Sequence, residues 1–310
     1  LDWLYWQASE TGLEYALNQD MFDVIHPVFM GFGEVANPKF DWQSGFRAGI
    51  GYHIPHDHWD LSLLWTWNEG QGSDSQKSKQ EHSPTVLPIL IHPNTYNDEA
   101  IIACMTASYD ALIHLNLVDL DLGRLCKAGK RFFIKPHFGI RTGWINQIHN
   151  AVYNDLFDKT GNQVLKHYAT HMTNNFWGLG PRGGFEADFS LGYGLSLVGD
   201  FSLSLLYGLF KTSYSELITT ELNEQATTLV TDNSFRTGKV STDMELGLKW
   251  TRGFAKDRVK LILQGGWEHH MFFSQNQMTR FVDGQNWATF VQNQGDLYFQ
   301  GWTASFSFLF

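Results

Sequence analysis

Residues 42–54 read Trp42-Gln43-Ser44-Gly45-Phe46-Arg47-Ala48-Gly49-Ile50-Gly51-Tyr52-His53-Ile54. Phe46, Ala48, Ile50, Tyr52 and Ile54 fall on one parity, and Arg47, Gly49, Gly51 and His53 on the other. Successive side chains of a β-strand point to opposite faces, so this pattern makes a strand with one greasy and one polar side. Pro55-His56-Asp57-His58 then reads as a turn. Beyond it Trp59, Leu61, Leu63, Trp65 and Trp67 alternate with Asp60, Ser62, Leu64, Thr66 and Asn68. The two runs predict a hairpin with one apolar face.

The same rhythm continues through the chain. Tyr109, Ala111, Ile113, Leu115 and Leu117 oppose Asp110, Leu112, His114 and Asn116, and the first set is taken as the apolar outer face. Phe138, Ile140 and Trp144 oppose Lys135, His137 and Arg141, and Phe185, Ala187 and Phe189 oppose Glu186 and Asp188. Phe201, Leu203, Leu205 and Tyr207 alternate with Ser202, Ser204 and Gly208, and residues 239–250 and 258–270 do likewise.

A soluble β-sandwich also alternates. These runs, however, are longer than the usual five or six residues and reach the 9–11 that a tilted strand needs to cross a bilayer. Trp and Tyr gather toward their ends, where rings meet lipid headgroups. No apolar run approaches the roughly 20 residues of a membrane-spanning helix, which leaves a closed barrel as the spanning form. Short connections, such as 55–58 and 192–194, alternate with long polar ones near 18–40, 69–100, 150–172, 213–236 and 272–293. Outer-membrane barrels have that asymmetry.

The expected fold is therefore all-β, a transmembrane antiparallel up-and-down β-barrel, with residues 1–310 as one domain. Ten strands are predicted, near 1–17, 41–54, 59–68, 101–118, 131–149, 173–191, 197–212, 237–251, 258–272 and 294–310, with twelve as the alternative. An even count puts both termini on the periplasmic side. The stretch from Pro84 to Pro93 is expected either as loop packed into the mouth or as another short hairpin element. Pro136 and Pro181 fall inside strands and predict a bulge or local break.

The 310 residues carry a formal charge of −10 with no cluster of Lys and Arg, which argues against nucleic acid as a partner. Leu1 to Trp6 has neither the basic nor the apolar region of a secretory signal, as expected of a mature chain. Cys104 and Cys126 are too few for a disulfide framework and too far apart along a strand to bridge each other. Two unpaired thiols are expected, with a disulfide between protomers as the alternative.

At the C-terminus, Trp302, Ala304, Phe306, Phe308 and Phe310 form one apolar row. That row is similar to the closing strand by which bacterial outer-membrane proteins meet their assembly machinery. Further stretches extend the likeness: Leu4-Tyr5-Trp6 followed by Gly12-Leu13-Glu14-Tyr15-Ala16, Gly45-Phe46-Arg47-Ala48-Gly49-Ile50-Gly51-Tyr52, and Trp59-Asp60-Leu61. So do Asp119-Leu120-Asp121-Leu122-Gly123-Arg124, Phe138-Gly139-Ile140-Arg141, Trp177-Gly178-Leu179-Gly180-Pro181-Arg182-Gly183-Gly184 and Ser204-Leu205-Leu206-Tyr207-Gly208. Together they resemble the major-outer-membrane-protein-like porins of Legionella and the environmental chlamydiae. The resemblance implies an abundant surface protein that passes small solutes and touches host cells.

The polar parity supplies the expected pore lining. Its basic residues are Arg47, Lys135, Arg141, Arg182, Lys239, Lys249 and Lys260, and its acidic ones Asp60, Asp110, Glu186, Asp188, Asp243, Glu245 and Glu268. Opposed rows of both signs suit a weakly selective porin for small hydrophilic solutes or ions. The alternative is a surface adhesin or structural envelope protein with a closed barrel. An outer-membrane enzyme is the third reading, with His269, His270, Glu268, His167 and His171 as candidates. His269 and His270 point to opposite faces, and His167 and His171 suit a metal only on a helix, so no enzyme, metal or cofactor is expected. Expected partners are outer-membrane lipid, small solutes, the assembly machinery through the strand ending in Phe310, a host-cell surface and further copies of the chain.

Overall fold

The computed structural model describes residues 1–19, 33–81, 83–92, 101–158, 160–220, 222, 224–254, 259–282 and 289–309. Ten long strands make the wall: β1 (Asp2–Glu10), β2 (Trp42–Ile54), β3 (Trp59–Lys77), β4 (Ile101–Arg124), β5 (Phe132–Asp158), β6 (Gln163–Gly192), β7 (Leu195–Thr219), β8 (Gln225–Phe254), β9 (Val259–Asn276) and β10 (Gly295–Leu309). Each pairs antiparallel with its neighbours, and β10 returns to β1 from Asp2 opposite Ser305 to Glu10 opposite Leu297. The Leu1 amino group and the Phe306 amide each donate to the other residue's carbonyl at 3.0 Å, next to the seam. The sheet has closed on itself and leaves no barrel edge unpaired.

The wall is taller than the expected loop pattern allows. Residues 150–172 and 213–236 are not long loops. They continue β5 into β6 and β7 into β8, with chain reversals only between Asp158 and Gln163 and between Thr219 and Gln225. Residues 69–77 likewise extend β3. At roughly 3.3 Å per residue, strands of 27 and 30 residues stand well beyond a hydrocarbon layer that 9–11 residues cross.

These extensions keep the two-residue period but reverse its polarity. In β4 the odd parity faces the interior from Ala107 to Asp121. Its residues Asp119 and Asp121 lie near the periplasmic end, and Leu117, Leu115, Ile113 and Tyr109 lie farther out, all 5% exposed or less. The expected placement of Tyr109 to Leu117 on the outer face is therefore corrected: above the bilayer, water lies outside the barrel, so apolar side chains turn inward. Lower down, Ile140, Leu205, Leu246 and Phe308 are 52–64% exposed on the outer surface, which is the lipid-facing belt. Tyr5, Trp42, Trp267 and Trp302 close its outer edge as a row of contacting rings, with centroids 5.3–6.0 Å apart.

The two prolines act on one side each. β5 keeps register with β6 through Pro136, opposite Phe185, while its pairing to β4 resumes only at His137 opposite Gly123. Pro181 is paired with Ile140, whereas the β6–β7 ladder passes from Leu179 opposite Tyr207 to Arg182 opposite Ser204 without changing register. A strand N–H points to one neighbour only, so a proline interrupts one ladder and leaves the other.

Ala16–Gln19 pairs with both Gly33–Ala36 and Val86–Pro88, making a small sheet within the outer barrel. Val86 also pairs with Cys104 on β4. The stretch 84–92 is packed into the mouth, where Tyr214 Oη donates to the Leu90 carbonyl at 3.1 Å and Tyr153 Oη accepts from the Leu90 amide at 3.3 Å. Cys104 is buried and Cys126 exposed, and both are free thiols. Phe310, expected to end the closing strand, lies outside the described residues.

Candidate functional site: the barrel interior

Going inward from the periplasmic turns, the lumen begins as a polar cavity of about 270 Å³. Lys135, Glu186, Asp188, Glu245 and Lys249 line it among others. Lys249 pairs with Asp188, and Lys135 stands 3.6 Å from both Asp60 and Glu186. Both signs of charge occur at this mouth, and its two lysines are already partnered.

Above the cavity lies a network that crosses the barrel. Arg141 holds Asp119 with Nε at 2.6 Å and Nη2 at 2.8 Å, and its Nη1 lies 2.7 Å from Asp243. Arg182 pairs with Asp121 and donates to Ser202 Oγ at 2.8 Å, and Ser202 donates to Asp243 at 2.8 Å. From Asp243 the network passes through His270, whose Nδ1 is 2.7 Å from Asp243 and whose Nε2 is 2.9 Å from Glu268. Glu268 then takes a two-pronged contact from Arg47 at 3.0 and 2.7 Å, and Arg47 also reaches Asp2 at 3.4 Å. Both nitrogens of His270 face carboxylates, the arrangement in which an imidazolium donates on both sides. Burying so many charges is tolerable because Arg141 grips Asp119, and Arg47 grips Glu268, in fork geometry.

Farther out the interior turns apolar. Trp6 lies over His270 with ring centroids 4.5 Å apart, and Leu115, Ile145, Phe176, Leu206 and Phe210 fill the section beyond, all buried. Outside the bilayer, five residues past Tyr5 and Trp144, Glu10 and His149 face each other with Oε2 and Nε2 3.8 Å apart. Both are fully buried. Gln147 donates to Glu10 Oε1 at 2.8 Å, and Tyr109 Oη meets His149 Nδ1 at 2.9 Å. Burial pushes the Glu10 carboxyl up to about 8 and the His149 imidazole down to about 3.

Most of the expected pore-lining set does turn inward. Arg47, Arg141, Arg182, Asp243 and Glu268 meet in the network, while Lys135, Glu186, Asp188, Glu245 and Lys249 line the cavity and Asp60 pairs with Lys135. Lys239 is buried higher up, bonded to the Ser274 carbonyl with its ammonium 4.9 Å from the Phe210 ring. Asp110 does not line the lumen. It is exposed on the outer face of β4, the parity opposite to Asp119. Lys260 is exposed at the start of β9, at the periplasmic rim.

Among the titratable residues of the network and the mouth cavity, those missing from the expected set are Asp2, Asp119, Asp121, His137, Asp200 and His270. The alternation Asp119-Leu120-Asp121-Leu122 was the available signal, lost by ending the fourth strand at 118. Among the enzyme candidates, His269 and His270 occupy opposite faces, with only His270 in the network. His167 and His171 are bonded to Asn154 and Asn150 at 2.8 and 2.7 Å across the β5–β6 hairpin.

Residues 1–310 match the family model described as Legionella pneumophila major outer membrane protein precursor. The chain belongs to this family. It is a protein of the bacterial outer membrane, as the family and the belted barrel agree. No curated protein matches the chain. Among solved structures it is similar to the outer membrane protease OmpT from Escherichia coli, at 10% identity and a TM-score of 0.41, over 99% of this chain and 94% of that one. The outer-membrane expressed OmpT of Vibrio cholerae aligns at 8% identity and a TM-score of 0.10, over 98% and 97% of the two chains. Overlaps this loose transfer neither a residue role nor an activity to this member of the family.

Proposed function

We propose that this outer-membrane protein works through its exterior: the barrel is a shut, rigid anchor, and the hairpin collar above the bilayer meets the surroundings as an adhesin or structural surface. The observation that carries the reading is the double filling of the lumen. A buried ion-pair network spans the membrane zone, and an apolar core closed by Tyr15, Tyr153 and Tyr168 sits above it. The outward face of the collar is polar, with Asn150, Asn154, His167 and His171 in cross-strand pairs, a composition suited to contact with hydrated partners such as a host-cell surface.

A porin that passes small hydrophilic solutes with weak selectivity is the second reading. Its support is the mouth cavity lined by both charge signs. Conduction then requires the network and the outer core to rearrange. Planar-bilayer recording of the detergent-folded protein separates the two: silence together with retained cell binding is expected, and defined single-channel steps would transfer the function to the lumen. Oligomer formation and recognition of the closing strand by the assembly machinery belong to the same proposal. Phe306 and Phe308, 45% and 55% exposed, are the residues that recognition would use.

A further inference from the structure

At the inner end of the lumen, a group of side chains outside the crossing network has the makings of a cation site. His137 on β5, Glu186 on β6 and Asp200 on β7 bring one ligand atom each to within 4.8 Å of one another. The register explains the meeting. Glu186 lies directly opposite Asp200, and His137 lies opposite Gly184, one inward position away from Glu186. Gly184 keeps this part of the wall flat, since a Cβ there would stand 2.1 Å from the Phe201 carbonyl oxygen. All three side chains line the cavity that begins the lumen.

Two further features point to a ligand. Arg182 Nη1 lies 3.3 Å from His137 Nε2 and can only donate, so the ring proton sits on Nδ1. That nitrogen is buried in a residue 9% exposed and meets no acceptor among the described residues. The Asp200 carboxylate has no hydrogen bond or ion pair among the described residues either, although Glu186 stands directly across from it. Like charges directly opposite in a ladder oppose folding unless a cation joins them. Lys135 is shared between Glu186 and Asp60.

We propose that His137, Glu186 and Asp200 bind a divalent transition-metal cation, with Zn²⁺ the best match to one imidazole nitrogen and two carboxylate oxygens. Cavity water completes the coordination. Ligation through Nδ1 moves the ring proton to Nε2, which gives up the contact with Arg182, while Arg182 keeps its bonds to Asp121 and Ser202. The ion would tie three adjacent strands together at the periplasmic mouth.

The test is titration calorimetry of the detergent-folded full chain with Zn²⁺ after chelator dialysis, in a background where the exposed His53, His56 and His58 of the β2–β3 turn are changed to Ala. Co²⁺ absorption provides a second readout. One ion per barrel is expected, with affinity reduced about tenfold or more by His137→Gln, Asp200→Asn and the half-exposed Glu186→Gln. Heat-modifiable gel migration confirms that each variant is folded. Failure of the background protein to bind, or equal binding by all three variants, overturns the proposal.

Discussion

Arg141 grips both carboxylate oxygens of Asp119, at 2.6 and 2.8 Å, from a position on the neighbouring strand that is 2% exposed. The pair is directly opposite in register on β5 and β4, and Arg141 then leans across the lumen to Asp243 on β8. One side chain therefore couples wall segments far apart around the ring. Arg141→Met leaves Asp119 and Asp243 buried with a cation removed, so a loss of about 3–5 kcal/mol is expected in denaturant unfolding. Adding Asp119→Asn should recover part of that loss, because it removes the stranded charge.

The Glu10 and His149 pair makes the outer core sensitive to pH in both directions. Glu10 holds its proton up to about pH 8 when folded and ordinarily to 4.5, so stability falls as pH rises from 4.5 to 8. His149 stays neutral down to about 3 when folded, so stability falls as pH drops from 6.5 to 3. Between 4.5 and 6.5 the two slopes cancel, and stability is flat. Glu10→Gln keeps an acceptor for Gln147 and removes the alkaline limb alone. Unfolding curves from pH 4 to 9 measure this, and an alkaline limb that persists in the variant would contradict the assignment.

Much of this was legible in the sequence, and the misses share one physical cause. The hairpin 42–67, the closing strand and the inward parity of Arg47, Arg141 and Arg182 follow from alternation alone. Alternation does not say which side is wet. Below the aromatic row lipid lies outside, and above it water does, so alternation alone puts Tyr109 and Ile113 on the outer surface with Asp110 inside, when the reverse holds. The same inversion disguised the tops of β5 to β8 as loops. The partners of each buried charge stayed hidden because Asp243 meets Arg141 only through closure of the ring.

Depth along the wall gives a direct test of that inversion. Leu263→Arg, on the lipid belt four residues inward of Trp267 on β9, is expected to destabilise the folded barrel by about 2–4 kcal/mol, the cost of a cation near the bilayer midplane. Asp110→Arg, above the belt on the outer face, should change stability by less than about 0.5 kcal/mol. Denaturant titration in lipid vesicles compares the two, and equal effects would argue against the belt as drawn.

The stretch 84–92 packed into the mouth depends on tyrosine hydroxyls. Tyr153 donates to the Tyr15 carbonyl at 2.7 Å and accepts from Leu90. Tyr153→Phe strands the Leu90 amide, while the Tyr15 carbonyl keeps its bond from the Ile89 amide, at a cost of about 1–3 kcal/mol felt locally. Faster amide exchange confined to residues 84–92, with the wall strands unchanged, is the expected signature by mass spectrometry.

The closed lumen is tested most directly by thiol access from the two sides of the membrane. With Cys126 changed to Ser, a cysteine at Ser62 lines the mouth cavity beneath the Arg141 network. A membrane-impermeant thiol reagent should modify Ser62→Cys from the periplasmic side and leave it untouched from outside. Modification at comparable rates from both sides would mean a continuous water path through the barrel, and the shut-anchor account would fail.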